Sequence, residues 1–149
     1  MKIVISIRYQ TLIFTHRNIK LKFPVSTSKY GEGFDPGSNK TPLGMHIVCE
    51  KIGADAEYGM IFKSRKQTGE IAQIGQSDED VITSRILRLK GLQVRNAATY
   101  DRYIYIHGTS DEARIGRKAS MGCIRMKNDD IIELFEHVAT GCRVHIKKE

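Results

Sequence analysis

Apolar and polar side chains alternate at every second position near both ends of this chain, and only an extended strand places alternate residues on one face. Ile3, Ile5 and Ile7 share one side, with Lys2, Val4, Ser6 and Arg8 between them. Ile19, Leu21, Phe23 and Val25 alternate with lysines, and Cys142, Val144 and Ile146 alternate with Arg143, His145 and Lys147. Each pattern predicts a half-buried strand. Pro24 lacks the N–H that a ladder needs, which assigns its strand to an edge or to a strand end.

The intervening sequence extends this reading. Leu12 to Thr15, Met45 to Cys49 and Val81 to Leu89 read as strands, and Thr68 to Gly75 as short extended structure. Tyr103 to Ile106 gives the strongest strand pattern, bounded by Asp101 and by His107-Gly108. Ser28 to Asn39, dense in Gly, Asp, Asn and Pro, reads as a loop, and Gly53 to Gly59 as a connection. One helix stands out. Asn128 reads as its N-cap, Asp129 and Asp130 as acids in the first turn, and Gly141 as its stop; Ile131, Ile132, Leu134, Phe135 and Val138 have helical spacing between them. The expectation is a single mainly β domain over residues 1–149, with one α-helix near the C-terminus.

Composition narrows the class further. The apolar fraction is 40% and the charged fraction 28%, ordinary for a globular domain and unlike a disordered or collagen-like chain. Apolar runs such as Leu12 to Phe14 fall far short of the roughly 20 residues of a membrane span. The net charge of +7 is spread from Lys2 to Lys148 without a basic run, zinc-finger spacing or RNA-binding aromatic motif, so a nucleic-acid partner is not expected. Three cysteines cannot all pair within one chain, which argues for free thiols. Polar residues break up the apolar start, so the first residues do not read as a secretory signal. That assigns the chain to the cytoplasm if Met1 is its native start, and to the periplasm if the chain is a trimmed piece. Neither a metal nor a cofactor is implied: paired ligand spacings are absent, and Tyr30-Gly-Glu-Gly33 does not meet a phosphate-loop pattern.

The chemistry concentrates between His107 and Met126. A histidine directly follows an apolar strand, and a cysteine follows a glycine in Ser120-Met-Gly122-Cys123-Ile-Arg125-Met126. A thiol becomes a strong nucleophile as thiolate, which a neighbouring imidazole favours. Glycine before the nucleophile admits close backbone approach, and the amides of Gly122 and Cys123 are candidate oxyanion donors. Cys49 and Cys142 lie in alternating strands and read as buried small apolar residues; His46 reads as structural; His16, His137 and His145 read as surface positions.

Ser-x-Gly-Cys-Ile-Arg-Met preceded by Ile-His-Gly-Thr resembles the signature of L,D-transpeptidases with a YkuD-type catalytic domain. Phe23 to Lys29, Lys40-Thr-Pro-Leu-Gly44, Thr83 to Arg88 and the terminal helix and strand extend the resemblance from about Phe23 onward. It implies the β-sandwich of that catalytic domain, with Cys123 as nucleophile and His107 as general base. It also implies that the Gly108 carbonyl orients the imidazole and that Ser120, Gly122 and Arg125 shape the pocket. Arg125 has two readings, a substrate carboxylate contact or a structural salt bridge. Many family members have histidine at the position of Met121, so a polar role there is absent from this chain.

The activity so implied is attack on a peptidoglycan tetrapeptide stem, releasing terminal D-Ala from the L-centre of a diamino acid. Water as acceptor gives an L,D-carboxypeptidase acting on soluble muropeptides; an amine gives a cross-linking or exchanging transpeptidase. A binding module that has kept the fold without the chemistry is the alternative from another class, and it has no reason to hold Cys123 as thiolate. Sequence leaves the oligomeric state open.

Overall fold

A computed structural model describes residues 1–75 and 81–149. Strand β1 (Lys2–Ser6) turns Ile3 and Ile5 fully inward, with Ile7 just beyond it. It pairs antiparallel with β2 (Thr11–His16), which pairs with β3 (Ile19–Pro24). Alternation in β3 only partly translates into burial. Phe23 and Val25 are inside, Leu21 is half-buried and Ile19 is exposed, because β3 is the outermost strand. Pro24 sits at the end of that edge strand, where a missing N–H costs no ladder bond.

The remaining elements are β4 (Gly44–Ile52), β5 (Met60–Lys63), β6 (Lys66–Ile71), β7 (Ile82–Gly91), β8 (Tyr105–Thr109), β9 (Ile124–Met126), α1 (Asn128–His137) and β10 (Arg143–Lys147). The strands form one curled mixed sheet, ordered β3-β2-β1-β10-β4-β7-β5-β6, with β8 on β7 and β9 on β8. The expected β layering is thus made by one curled sheet, with the apolar side of α1 packed against it. Strand β10 lies parallel to β1 and antiparallel to β4, so the two ends of the chain share the centre of the sheet. Strand β7 is the branch point. Its first residues pair with β5 and its later ones with β4, while β8 follows it across a register shift between Thr83 and Ile86. Ser84 stands at that shift with φ 69°.

Two apolar clusters result. The larger joins β1, β2, the end of β3, β10 and the inner face of β7, β8 and β9 to Ile131, Leu134 and Phe135 of α1. The smaller holds Ala56, Met60, Phe62, Ile86 and Tyr105, with Ile52, Ile82 and Cys123 packed against it.

Three sequence expectations change, and one strand was not anticipated. The strand read as Tyr103 to Ile106 begins at Tyr105 and carries His107 and Gly108 within it; Tyr103 has φ 57° and belongs to the preceding turn. Strand β5, paired to β6 through the positive-φ residues Ser64 and Arg65, gave no alternation long enough to detect. The helix has Lys127, not Asn128, at its N-cap, because the Asn128 side chain turns inward instead of capping. The helix also ends at His137, with Val138 already extended; Gly141, φ 93°, turns the chain into β10.

Candidate active site

Parallel pairing of β8 with β9 brings the two halves of the sequence signature together. Ile106 is in register with Ile124, and His107 with Arg125. Ile106, Ile124 and Met126 face the large cluster, so period-two alternation turns Tyr105 and His107 to the opposite face, together with Cys123 and Arg125. Cys123 ends the turn entering β9, beside Tyr105. Its thiol accepts from the Tyr105 N–H and donates to the Tyr103 carbonyl, both at 3.4 Å. The first contact suits a thiolate and the second a thiol, so the sulfur is held in place in either state.

His107 is buried, with Nδ1 2.6 Å from the Gly108 carbonyl oxygen. A carbonyl can only accept, so Nδ1 carries the proton and Nε2 is left with the lone pair a base needs. Gly108 is glycine because of crowding. A Cβ there would stand 2.5 Å from the Thr83 carbonyl oxygen and 3.0 Å from Asn128 Oδ1.

The turn before the cysteine is pinned from three sides. Fully buried Ser120 accepts from the Gly122 N–H (3.2 Å) and donates to the Cys123 carbonyl (2.6 Å). Thr41 donates to the Gly122 carbonyl (2.9 Å) and accepts from the Ser28 N–H (3.0 Å). Ser26 and Arg125 exchange main-chain bonds at 2.8 and 2.9 Å, and the Lys29 N–H reaches the Ser120 carbonyl. Gly122 adopts φ 125°, a conformation that side-chain-bearing residues rarely take.

These contacts revise three site expectations. The Gly122 amide donates to the Ser120 hydroxyl, so in this state it does not offer itself as an oxyanion donor. Ser120 ties the turn from within and does not line an open pocket. Arg125 is buried and donates to Asp111 Oδ2 at 2.8 Å and to the Ala119 carbonyl at 3.2 Å; the salt-bridge reading of Arg125 is the one realised.

Asp111 and Asn128 carry much of this frame; Asp111 was not singled out from sequence, and Asn128 was read there only as a helix cap. Asn128 Oδ1 accepts from Thr83 (2.6 Å) and Ser84 (2.5 Å), while its Nδ2 donates to the Thr109 carbonyl and to Glu112 (both 2.8 Å). Glu112 also accepts the Asn128 N–H at 2.7 Å, capping α1 from a remote loop. Asp111 lies within the signature segment, but only its burial distinguishes it from a solvated acid.

The other cysteines and histidines fall elsewhere. Burial pushes the Cys142 thiol up to about 11, and burial followed by the neighbouring Glu50 charge raises that of Cys49. His46 is fully buried between the Gly44 carbonyl and Thr99, and burial lowers its pKa to about 4. His16 and His137 are half-buried and His145 is exposed. Surface depressions over β1, β2 and β10, lined by residues such as Val4, Met45 and His145, lie apart from the Cys123 turn. Among the described residues, no group of three His, Cys, Asp or Glu side chains could hold a metal ion, and no helix is long and apolar enough to cross a membrane.

A curled mixed sheet with one late helix, a glycine-preceded cysteine entering β9 and a carbonyl-held histidine on β8 define a cysteine-enzyme architecture. The L,D-transpeptidase catalytic domain family, YkuD, matches residues 1–146, and the chain belongs to it. It is 53% identical over 45 residues to the probable L,D-transpeptidase ErfK/SrfK of Salmonella typhimurium, an alignment covering 30% of this chain and 15% of that protein. An L,D-transpeptidase from Mycobacterium smegmatis shares the fold, with a TM-score of 0.62 at 20% identity, over 97% of this chain and 57% of that one. L,D-transpeptidase 3 from Mycobacterium tuberculosis, solved with a faropenem-derived adduct, superposes with a TM-score of 0.60 at 18% identity, over 97% and 59%. The chain thus spans well under two thirds of the length of these relatives.

Proposed function

We propose that this domain is a cysteine acyltransferase acting on peptidoglycan tetrapeptide stems, with Cys123 as nucleophile, His107 as base and water as the acceptor. The supporting observation is the hydrogen bond from His107 Nδ1 to the Gly108 carbonyl, which leaves Nε2 basic on the face of the sheet that also carries Cys123.

In this reading Nε2 takes the thiol proton as Sγ attacks the carbonyl carbon between the diamino acid's L-centre and terminal D-Ala. The tetrahedral intermediate collapses, the C–N bond breaks, and the imidazolium returns its proton to the D-Ala amine. The acyl group remains as a Cys123 thioester. Water, losing a proton to Nε2, then releases the tripeptide acid and restores the thiol.

Mass spectrometry of the protein with a tetrapeptide stem, with and without an added D-amino acid, tests this. Loss of D-Ala with no exchanged or dimeric product is expected. Exchange or dimer formation would replace water with an amine as acceptor, and no loss of D-Ala would reject the function.

A further inference from the structure

The hairpin β5–β6 reaches back across the nucleophile's surroundings. Its strand β5 contributes Met60 and Phe62 to the small cluster that also holds Tyr105 and packs Cys123. At its tip Ser64 and Arg65 take φ 48° and 64°, and the Arg65 side chain reaches Tyr105 of β8. The Arg65 guanidinium lies 5.0 Å from the Tyr103 ring centroid and donates from Nη1 to the Tyr105 hydroxyl at 3.1 Å. Tyr103 and Tyr105 are the two residues whose main chain grips the Cys123 sulfur. The tip arginine is therefore built onto the same short segment that holds the nucleophile.

A neighbouring arginine gives the contrast. Arg88 stacks 3.6 Å from the Tyr100 ring and its charge is met by Glu50 at 3.2 Å. Arg65 has no carboxylate within ion-pair distance among the described residues, and its hydrogen bond to Tyr105, the foremost cause, raises its pKa, so it stays charged. A guanidinium fixed by one ring and one hydroxyl keeps donors in its plane for a further acceptor, and its geometry matches a carboxylate.

We propose that Arg65, stacked on Tyr103 and held by Tyr105, forms a carboxylate-recognition subsite beside Cys123. It would take the side-chain carboxylate of the stem peptide's diamino acid and so select stems that carry it. This deepens the proposed function and rests on it for the identity of the ligand. The guanidinium meets the Tyr103 and Tyr105 side chains while the sulfur meets their main chain, which suits a carboxylate remote from the bond under attack.

The test uses two tetrapeptide stems that differ only in a carboxylate or a carboxamide at the end of the diamino acid side chain. Their binding to the Cys123→Ala protein is measured by calorimetry and their turnover by the intact enzyme. The carboxylate stem should bind about tenfold more tightly, as one charge-assisted hydrogen-bond pair at a half-exposed site implies. Adding Arg65→Gln should bring it down to the affinity of the carboxamide stem, and adding Tyr105→Phe, which keeps the charge but frees the guanidinium, should give an intermediate value. Equal binding of both stems, absence of binding, or a preference that survives Arg65→Gln would overturn the subsite. A preference seen in binding without turnover of either stem would leave the subsite standing and reject the proposed chemistry.

Discussion

Cys123, Cys49 and Cys142 are all free thiols, and their surroundings separate them. Burial raises Cys142 and Cys49, leaving them mostly protonated near neutral pH, whereas Cys123 accepts a main-chain N–H. With His107 as its base, Cys123 should be labelled by iodoacetamide first and well below the ordinary thiol range near 8.5. His107→Ala should move the labelling profile back toward that range, which peptide mapping across a pH series would read. An unchanged profile would remove His107 from the activation of the thiol. Gly108 offers a second check. Its missing Cβ leaves room for the Thr83 carbonyl, so Gly108→Ala should cost about 1–3 kcal/mol in chemical denaturation and displace the carbonyl that holds the imidazole. Spacing and glycine neighbours made the cysteine and histidine candidates, and the resemblance of the local Ser-x-Gly-Cys and His-Gly motifs to the family signature gave them their expected roles. Asp111 was not legible there, since its value depends on Arg125 arriving from β9.

At the scale of elements, the frame of the site is a junction where β7, β8 and α1 meet on one amide. Asn128 joins Thr83 and Ser84 of β7 to the Thr109 carbonyl of β8 and to Glu112. Asn128→Ala would leave several of these buried groups without partners, each worth about 1–3 kcal/mol. A fall in thermal midpoint of at least about 4 °C is expected for a chain of this length, and a shift under one degree would show the junction to be dispensable. Sequence gave the right element and the wrong role for this residue. Asparagine before two acids is a strong N-cap pattern, and only the register of β7 against β8 turns its side chain inward. Edge strand β3 and the central pair β1 and β10 were readable from alternation. The β5–β6 hairpin was only partly readable: Thr68 to Gly75 read as extended and overlaps β6, whereas β5, four residues long, is too short to show a period.

Across the whole molecule, His46 links the fold to pH. It lies on β4, buried against the turn that precedes β8, and burial lowers its pKa to about 4 in the folded protein, against about 6.5 when unfolded. The unfolded chain therefore binds the proton first as pH falls. The stability is fully present above about pH 6.5 and is lost through the window down to pH 4, by on the order of 3 kcal/mol. Urea midpoints at pH 7 and pH 4.5 should differ clearly in the wild type and less in His46→Gln; equal slopes would assign the acid sensitivity to other groups.

The central claim is that the acyl group of the stem passes through Cys123. Acid-quenched protein, taken during turnover of a tetrapeptide stem and digested for mass spectrometry, tests it directly. The account predicts a tripeptide acyl mass on the peptide containing Cys123, absent from the Cys123→Ala protein, which also fails to release D-Ala. An acyl mass on Cys49 or Cys142, or D-Ala release by Cys123→Ala at the wild-type rate, would contradict it.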